Sequence, residues 1–131
     1  VESPAQRVWV KADAIRIEQV LDNLLSNALK FSPEGGIVKI HMRPDMKAGV
    51  LEVSVSDVGS GVPPDELPHI FERFYQGRQK SKQALPGSGL GLALAKKVVE
   101  AHGGRIWIES ELKKGTTVRF ILRLTKRGGV A

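Results

Sequence analysis

Two asparagines four residues apart, Asn23 and Asn27, are followed about one turn later by Lys30 in a segment of helical hydrophobic spacing. At about 100° per residue, these side chains share one stripe of the predicted helix with Arg16 and Gln19. An asparagine oxygen can ligate a hard cation such as Mg²⁺ without adding charge, and a lysine can contact a phosphate oxygen. The stripe therefore predicts a binding site for a metal-bound phosphate. Taken alone, it fits equally well two asparagines that hydrogen-bond neighbouring segments.

A carboxylate, Asp57, directly follows a segment, 51–55, in which every second residue is apolar. The alternation predicts that Asp57 points into the protein as well. A buried carboxylate is costly unless it accepts hydrogen bonds, and the amino group of a heterocycle such as adenine is a suitable donor. Gly59 and Gly61 would let the backbone come close to a flat ligand. Taken alone, an ordinary Asp-x-Gly turn at the end of a strand explains the same residues.

A glycine-rich stretch leads into a second predicted helix and consists of Gly87, Ser88, Gly89, Leu90, Gly91 and Leu92. Free backbone N–H groups and the helix dipole at such a position favour phosphate. The stretch therefore predicts a phosphate cradle. Its glycine spacing differs from that of a dinucleotide fingerprint, and no Gly-Lys-Ser/Thr follows, so neither a Rossmann site nor a Walker loop is predicted.

Strands and helices that alternate along the chain must position these residues. We predict strands at 8–10, 37–42, 51–55, 105–110 and 116–124, helices at 13–31 and 90–101, and a short helical segment at 66–74. Because hairpin connections dominate, we expect an α+β fold: a two-layer α/β sandwich with its helices on one face of a mixed, mainly antiparallel sheet. The 131 residues suit one domain, 1–131, with a long glycine- and proline-rich loop near 57–89.

The composition narrows the classes of partner. A net charge of +6 suggests nucleic acid, a membrane surface or a phosphate-bearing small molecule, but the chain lacks the interleaved basic and aromatic pattern of a nucleic-acid surface. No apolar run reaches the ~18 residues of a membrane span. We therefore expect a cytoplasmic domain without direct membrane or nucleic-acid contact. The absence of cysteine excludes disulfides and thiolate metal sites.

The motifs, in this order, resemble the conserved boxes of sensor histidine kinases, which belong to the Bergerat-fold (GHKL) ATPases. The similar segments are Asp13 to Phe31 for the N box, Asp57-x-Gly59-x-Gly61 for G1, Phe71 to Tyr75 for the F box, Gly87 to Leu92 for G2 and Gly115-Thr116-Thr117 for the last glycine box. The resemblance runs from about Val10 to Leu124. It implies the Bergerat fold, ATP and Mg²⁺ as cofactors, and an ATP lid at about 60–90.

The same resemblance implies roles for single residues. Asn27 would ligate Mg²⁺, Lys30 would contact phosphate, Asp57 would accept the adenine amino hydrogen, and Thr116 would lie near the adenine. The other nucleotide-binding residues that it implies are Asn23, Phe31, Gly59, Gly61, Tyr75, Arg78, Gly87, Ser88, Gly89, Leu90, Gly91 and Leu92. Many relatives carry an arginine where this chain has Gln76, and Arg78 is the candidate to replace it.

Two departures refine the implied activity. Hydrolytic members of the superfamily carry a glutamate where this chain has Asn23, so we expect phosphoryl transfer to an external acceptor rather than ATP hydrolysis. His41, His69 and His102 each lack the setting of a phosphoacceptor, and we interpret them as structural or exposed. The acceptor histidine is then expected in an upstream dimerisation domain, with a response regulator as the next partner. The alternatives are a nucleotide-binding module without kinase activity and an ATPase that drives conformational change. Anchoring of the parent protein in the inner membrane stays open.

Overall fold

The computed structural model describes residues 8–31, 35–59, 61–72 and 91–125, and of Lys30 and Phe31 only the backbone. Its elements are β1 (Trp9–Val10), α1 (Ala14–Phe31), β2 (Lys39–Asp45), β3 (Val50–Asp57), a single 3₁₀ turn (Leu67–His69), α2 (Gly91–Ala101), β4 (Arg105–Glu111) and β5 (Gly115–Thr125). Both long helices and every predicted strand are present, which confirms the predicted α+β order.

The five strands form one sheet in which β5 is central to the pairing. β5 pairs with β3 on one side and with β4 and β1 on the other, and β3 also pairs with β2. All of these described pairs are antiparallel, in agreement with the expected sheet. Residues of α1 and α2 pack against residues of the sheet in one buried hydrophobic cluster, so the fold has a helical layer and a sheet layer. The members of that cluster are Val20, Leu24, Ala28, Leu51, Val53, Val55, Ala95, Val98, Val99, Ile106, Val118, Phe120 and Leu122.

The two faces of the sheet differ in polarity because side chains alternate along each strand. On the face away from the helices, Arg119 donates to Glu109 Oε1 at 2.7 Å and to Glu52 Oε2 at 3.4 Å. The helix-facing side is apolar along most of β3 and β5. This division is what a sheet covered by helices on one side requires.

Two predicted boundaries were wrong. β2 begins at Lys39 and continues to Asp45 instead of spanning 37–42. It accommodates Pro44 because, in the part of the chain that the structure describes, β2 pairs only with β3, so one side of the strand needs no backbone donor. The helical segment expected at 66–74 contains only a 3₁₀ turn over 67–69, and its residues 73 and 74 lie outside the described part. Pro68 lacks an N–H group and disfavours helical backbone at the residue before it, which limits this turn.

The ends of the two helices are tied together by Asp13 and His102. Asp13 is the N-terminal cap of α1, since its Oδ1 accepts hydrogen bonds from the backbone N–H groups of Ile15 and Arg16 at 3.1 and 3.2 Å. The backbone N–H of Asp13 donates to His102 Nε2 at 3.0 Å, and His102 Nδ1 lies 2.8 Å from the Val98 carbonyl. His102 is therefore a structural residue, as the sequence indicates. Within the described residues, neither helix is long and apolar enough to cross a membrane.

Candidate functional site

The apolar rows of the helix-facing side give way to a polar row at one end of the sheet. Pairing aligns Val55, Val118 and Ile108 across three strands, and two residues further along it aligns Asp57, Thr116 and Ser110. Because all members of a row lie on the same face, the backbone register that packs the core also places a carboxylate and two hydroxyls side by side. The candidate site is this polar row, where the core ends.

Asp57 is the charged member of the polar row and is only 9% exposed. Its Oδ1 accepts a hydrogen bond from the Gly59 N–H at 2.8 Å, and the backbone N–H of Thr116 also donates to its carboxylate. Burial raises the pKa of Asp57 above its ordinary value, although the two backbone donors act in the opposite direction. The inward placement predicted for Asp57 is confirmed. An ionised Asp57 is an acceptor for a ligand N–H group.

Ser110 is a polar residue of the site that the sequence analysis did not identify. Its Oγ accepts a hydrogen bond from the Val62 N–H at 2.7 Å, donates to the Gly115 carbonyl at 3.1 Å and lies 2.9 Å from Thr116 Oγ1. A signal was available, because Ser110 continues the inward series of β4 after the apolar Ile106 and Ile108. Ser110 connects the chain just after Gly61 to the β4–β5 hairpin.

The glycines at this end of the sheet permit close backbone packing. Gly61 has φ +76°, and a Cβ atom on it would lie 2.3 Å from the Glu111 carbonyl oxygen. Gly115 has φ +118°, and its Cβ would lie 2.1 Å from the Asp57 carbonyl oxygen. Both positions need glycine for the fold itself, since an L side chain would be strained and would clash. The approach of a ligand to Gly59 and Gly61 stays a prediction.

The polar stripe of α1 divides into an exposed and a half-buried part. Arg16 and Gln19 are exposed, whereas Asn23 and Asn27 are half-buried. Asn23 Nδ2 donates to the carbonyl oxygen of Gly91, the first residue of α2, at 3.3 Å. Asn23 therefore connects α1 to the end of the glycine-rich stretch, as the alternative interpretation of the asparagines allows.

The remaining predicted site residues fall in three groups. Leu92 is half-buried and packs against the hydrophobic core. Lys30 and Phe31 belong to the last turn of α1, with side chains outside the described part. The predicted residues that lie wholly outside it are Tyr75, Arg78, Gly87, Ser88, Gly89 and Leu90.

No group of three or more His, Cys, Asp or Glu side chains that could hold a metal ion occurs among the described residues. Asn27 presents an amide group on the half-buried part of the α1 stripe. Mg²⁺ prefers oxygen ligands and usually takes only one or two from the protein, with the rest from water and substrate phosphates. The amide oxygen of Asn27 is a ligand of the kind that Mg²⁺ prefers.

A family model and two relatives found by sequence agree on the family to which this chain is similar. A model of the family described as histidine kinase-, DNA gyrase B- and HSP90-like ATPases matches residues 12–126. The chain is 45% identical over 119 residues to the sensor histidine kinase WalK of Bacillus subtilis, covering 91% of this chain and 20% of WalK. It is 42% identical over 121 residues to the adaptive-response sensory kinase SasA of Synechococcus elongatus, covering 91% of this chain and 30% of SasA.

Solved structures agree with the sequence comparison. The mycobacterial sensor histidine kinase MprB superposes with a TM-score of 0.77 at 36% identity, over 88% of this chain and 76% of that chain. Full-length ShkA in complex with AMPPNP superposes with a TM-score of 0.77 at 33% identity, over 92% of this chain and 24% of that chain. The fold predicted from the sequence is therefore that of known histidine kinase domains.

Proposed function

Because this chain belongs to the family of histidine kinase-, DNA gyrase B- and HSP90-like ATPases, we propose that it is the ATP-binding catalytic domain of a two-component sensor histidine kinase. It binds Mg·ATP and donates the γ-phosphate to a histidine on an upstream dimerisation domain, from which a response-regulator aspartate receives it. The chain spans about 20% of WalK and 30% of SasA, so these partners and the complete reaction are part of the proposal. The domain is cytoplasmic and makes no contact with nucleic acid or membrane.

The observation that carries the proposal is the buried Asp57 in the polar row. An ionised carboxylate held by two backbone donors keeps lone pairs for the amino group of adenine, and Thr116 lies beside it. An N–H donor from a ligand would offset part of the cost of keeping this buried carboxylate ionised. Adenine recognition is therefore assigned to the end of β3.

The triphosphate is assigned to α1 and to the start of α2. Asn27 holds Mg²⁺, which neutralises phosphate charge when it is bound, and Lys30 contacts a phosphate oxygen. The resemblance assigns phosphate binding to the stretch from Gly87 to Leu92, of which the structure describes Gly91 and Leu92 at the N-terminus of α2. In this arrangement the chain contributes positioning and charge stabilisation, which dominate phosphoryl transfer in general.

Asn23 supports phosphoryl transfer over hydrolysis. A general base for the activation of water would need a carboxylate or imidazole within reach of the γ-phosphate. Where hydrolytic members of the superfamily carry a glutamate, this chain has Asn23, and the side-chain nitrogen of Asn23 donates to the Gly91 carbonyl. Asn23 therefore has a structural partner and cannot take a proton from water.

The proposal is tested by calorimetric titration of this chain with a non-hydrolysable ATP analogue, with and without Mg²⁺. We expect saturable binding that Mg²⁺ strengthens, and Asn27→Ala should lower the affinity in Mg²⁺ about tenfold by removal of one ligand to a charged group. Gln19→Ala is the matched control, because it truncates an exposed amide two turns earlier on the same stripe and should change nothing. Failure of the folded wild-type chain to bind the analogue would exclude the proposed function.

Phosphoryl transfer needs a second measurement. The chain is mixed with labelled ATP and the separately produced histidine domain of its parent protein, and label on histidine is followed with time. We expect transfer that depends on both proteins, with slow release of free phosphate. Rapid release of phosphate without transfer would instead favour an ATPase, and ATP binding with neither reaction would favour a nucleotide-sensing module.

A further inference from the structure

The two hydroxyl groups of the polar row have a proton arrangement that the structure determines. Among the described residues, Ser110 Oγ has three neighbours within hydrogen-bond distance: the Val62 N–H at 2.7 Å, the Gly115 carbonyl at 3.1 Å and Thr116 Oγ1 at 2.9 Å. Val62 can only donate and the Gly115 carbonyl can only accept. The serine proton is therefore used in the bond to Gly115.

This assignment fixes the hydroxyl of Thr116. Ser110 and Thr116 have one hydroxyl proton each. Two bonds each need one of these protons: the bond from Ser110 to Gly115 and the bond between the two hydroxyls. Both bonds form together only if Thr116 donates to Ser110. The Thr116 oxygen then has only lone pairs left for a ligand.

The backbone holds this arrangement in place. Ser110 and Thr116 are paired across β4 and β5, and Thr116 is paired with Asp57 across β5 and β3. The chain that carries Val62 is fixed by the preceding Gly61, which approaches Glu111 more closely than any side chain would allow. The Val62 N–H consequently keeps one lone pair of Ser110 occupied and prevents the serine from rotating freely.

We propose that Ser110 is a specificity-determining residue, which positions the Thr116 hydroxyl as an acceptor so that the site selects a 6-amino purine over a 6-oxo purine. The inference rests on the proposed function. Asp57 and Thr116 offer neighbouring acceptor oxygens, directly or through water, and an amino group supplies the N–H donors that they need. The oxo group of inosine or guanine supplies no N–H donor, and it would place its own acceptor oxygen against the acceptor oxygens of Asp57 and Thr116. Without Ser110, the Thr116 proton is released and can turn toward such an oxo group.

The test is the ratio of dissociation constants for ITP and ATP, measured by calorimetry on this chain. In Ser110→Ala we expect this ratio to fall about fivefold to tenfold, which corresponds to one hydrogen bond that the hypoxanthine base of ITP gains. Thr116→Val removes the hydroxyl at nearly constant shape and should lower the ratio as well. In the double variant, Ser110→Ala should add no further change, because its effect passes through Thr116.

A matched control comes from the other face of the sheet. Ser56 Oγ lies 3.0 Å from Thr117 Oγ1, so Ser56→Ala deletes a similar hydroxyl pair one residue away from the polar row. It should leave the ratio at the wild-type value. If Ser110→Ala weakens ATP and ITP equally, or if it still lowers the ratio in the Thr116→Val background, the proposal is overturned. Absence of ATP binding by the wild-type chain would instead refute the proposed function.

Discussion

Replacement of Asp57 by asparagine should weaken nucleotide binding and remove one pH-dependent contribution to the stability of the unliganded fold. Asparagine loses the charge and keeps one acceptor oxygen, where the carboxylate offers two to the Gly59 N–H, the Thr116 N–H and adenine, and its NH₂ group accepts no bond. A hydrogen bond to a charged group contributes about 1.5–3 kcal/mol, so the dissociation constant for the ATP analogue should rise about 10- to 150-fold. Calorimetric titration at pH 7 measures the change.

The effect of Asp57→Asn on stability follows from the raised pKa of this carboxyl. Burial raises the pKa of Asp57 above 3.8, so the folded state binds its proton more tightly than the unfolded state. Stability is therefore lost as pH rises through the folded pKa, and asparagine, which does not titrate, avoids this loss. The melting temperature of the wild type relative to that of the variant should therefore fall as pH rises from 4 to 7, because any cost of the lost acceptor oxygen in the variant is the same at both pH values. For a domain of this size, each 1 kcal/mol shifts the melting temperature by about 3–5 °C.

Asp45→Asn is the matched control for this experiment. The Oδ1 of Asp45 also accepts two backbone N–H bonds, from Lys47 at 3.1 Å and Ala48 at 3.0 Å, but Asp45 is exposed and is the last residue of β2. It should leave the ATP affinity unchanged. The reasoning about Asp57 would be refuted if Asp57→Asn bound the analogue within about twofold of the wild type, or if the difference in melting temperature between the two proteins were the same at pH 4 and pH 7.

Five further substitutions at four positions test local packing by urea denaturation. Gly61→Ala should lower the free energy of unfolding by about 2–4 kcal/mol, because φ is +76° and the new Cβ would overlap the Glu111 carbonyl. Gly49→Ala, at φ +69° with open space around it, should lower it by only about 1 kcal/mol through backbone strain. His102→Ala should cost about 1–3 kcal/mol through the loss of the bonds between the helix ends. Asn23→Ala should cost about 0.5–1.5 kcal/mol, and Asn23→Asp more, because a carboxylate would face the first carbonyl of α2. Equal costs for the two glycines, or no cost at the other two positions, would contradict the contacts described.

The fold could be predicted to the level of elements because hydrophobic periodicity is a local property. The 3.6-residue period of α1 and the alternation in β3 and β5 appear directly in the sequence. The C-terminal end of β2 could not be predicted, because a proline such as Pro44 usually indicates the end of a strand. Whether Pro44 is tolerated depends on which side of β2 has a partner, and that is decided by the whole sheet.

The candidate site could be predicted only in part for a similar reason. Asp57 was found because its inward position follows from its own strand. Ser110 was missed because its inward position shows only that it is a polar residue at the end of the β4 series, whereas its importance comes from three neighbours on other segments. Gly61 was noticed for its conformational freedom, but its contact with Glu111 depends on how two distant segments meet.

The polar row also explains why the core and the site depend on each other. Asp57, Thr116 and Ser110 are adjacent only because β3, β5 and β4 are paired in one register, and the same register aligns the apolar rows behind them. A slip of one residue in β5 would turn Val118 and Phe120 to the polar face and would remove Thr116 from Asp57 at the same time. Since the buried apolar rows make such a slip very costly, the hydrophobic core holds the acceptor oxygens of the site in place. Selection for a well-packed β5 is therefore also selection for a fixed geometry of base recognition.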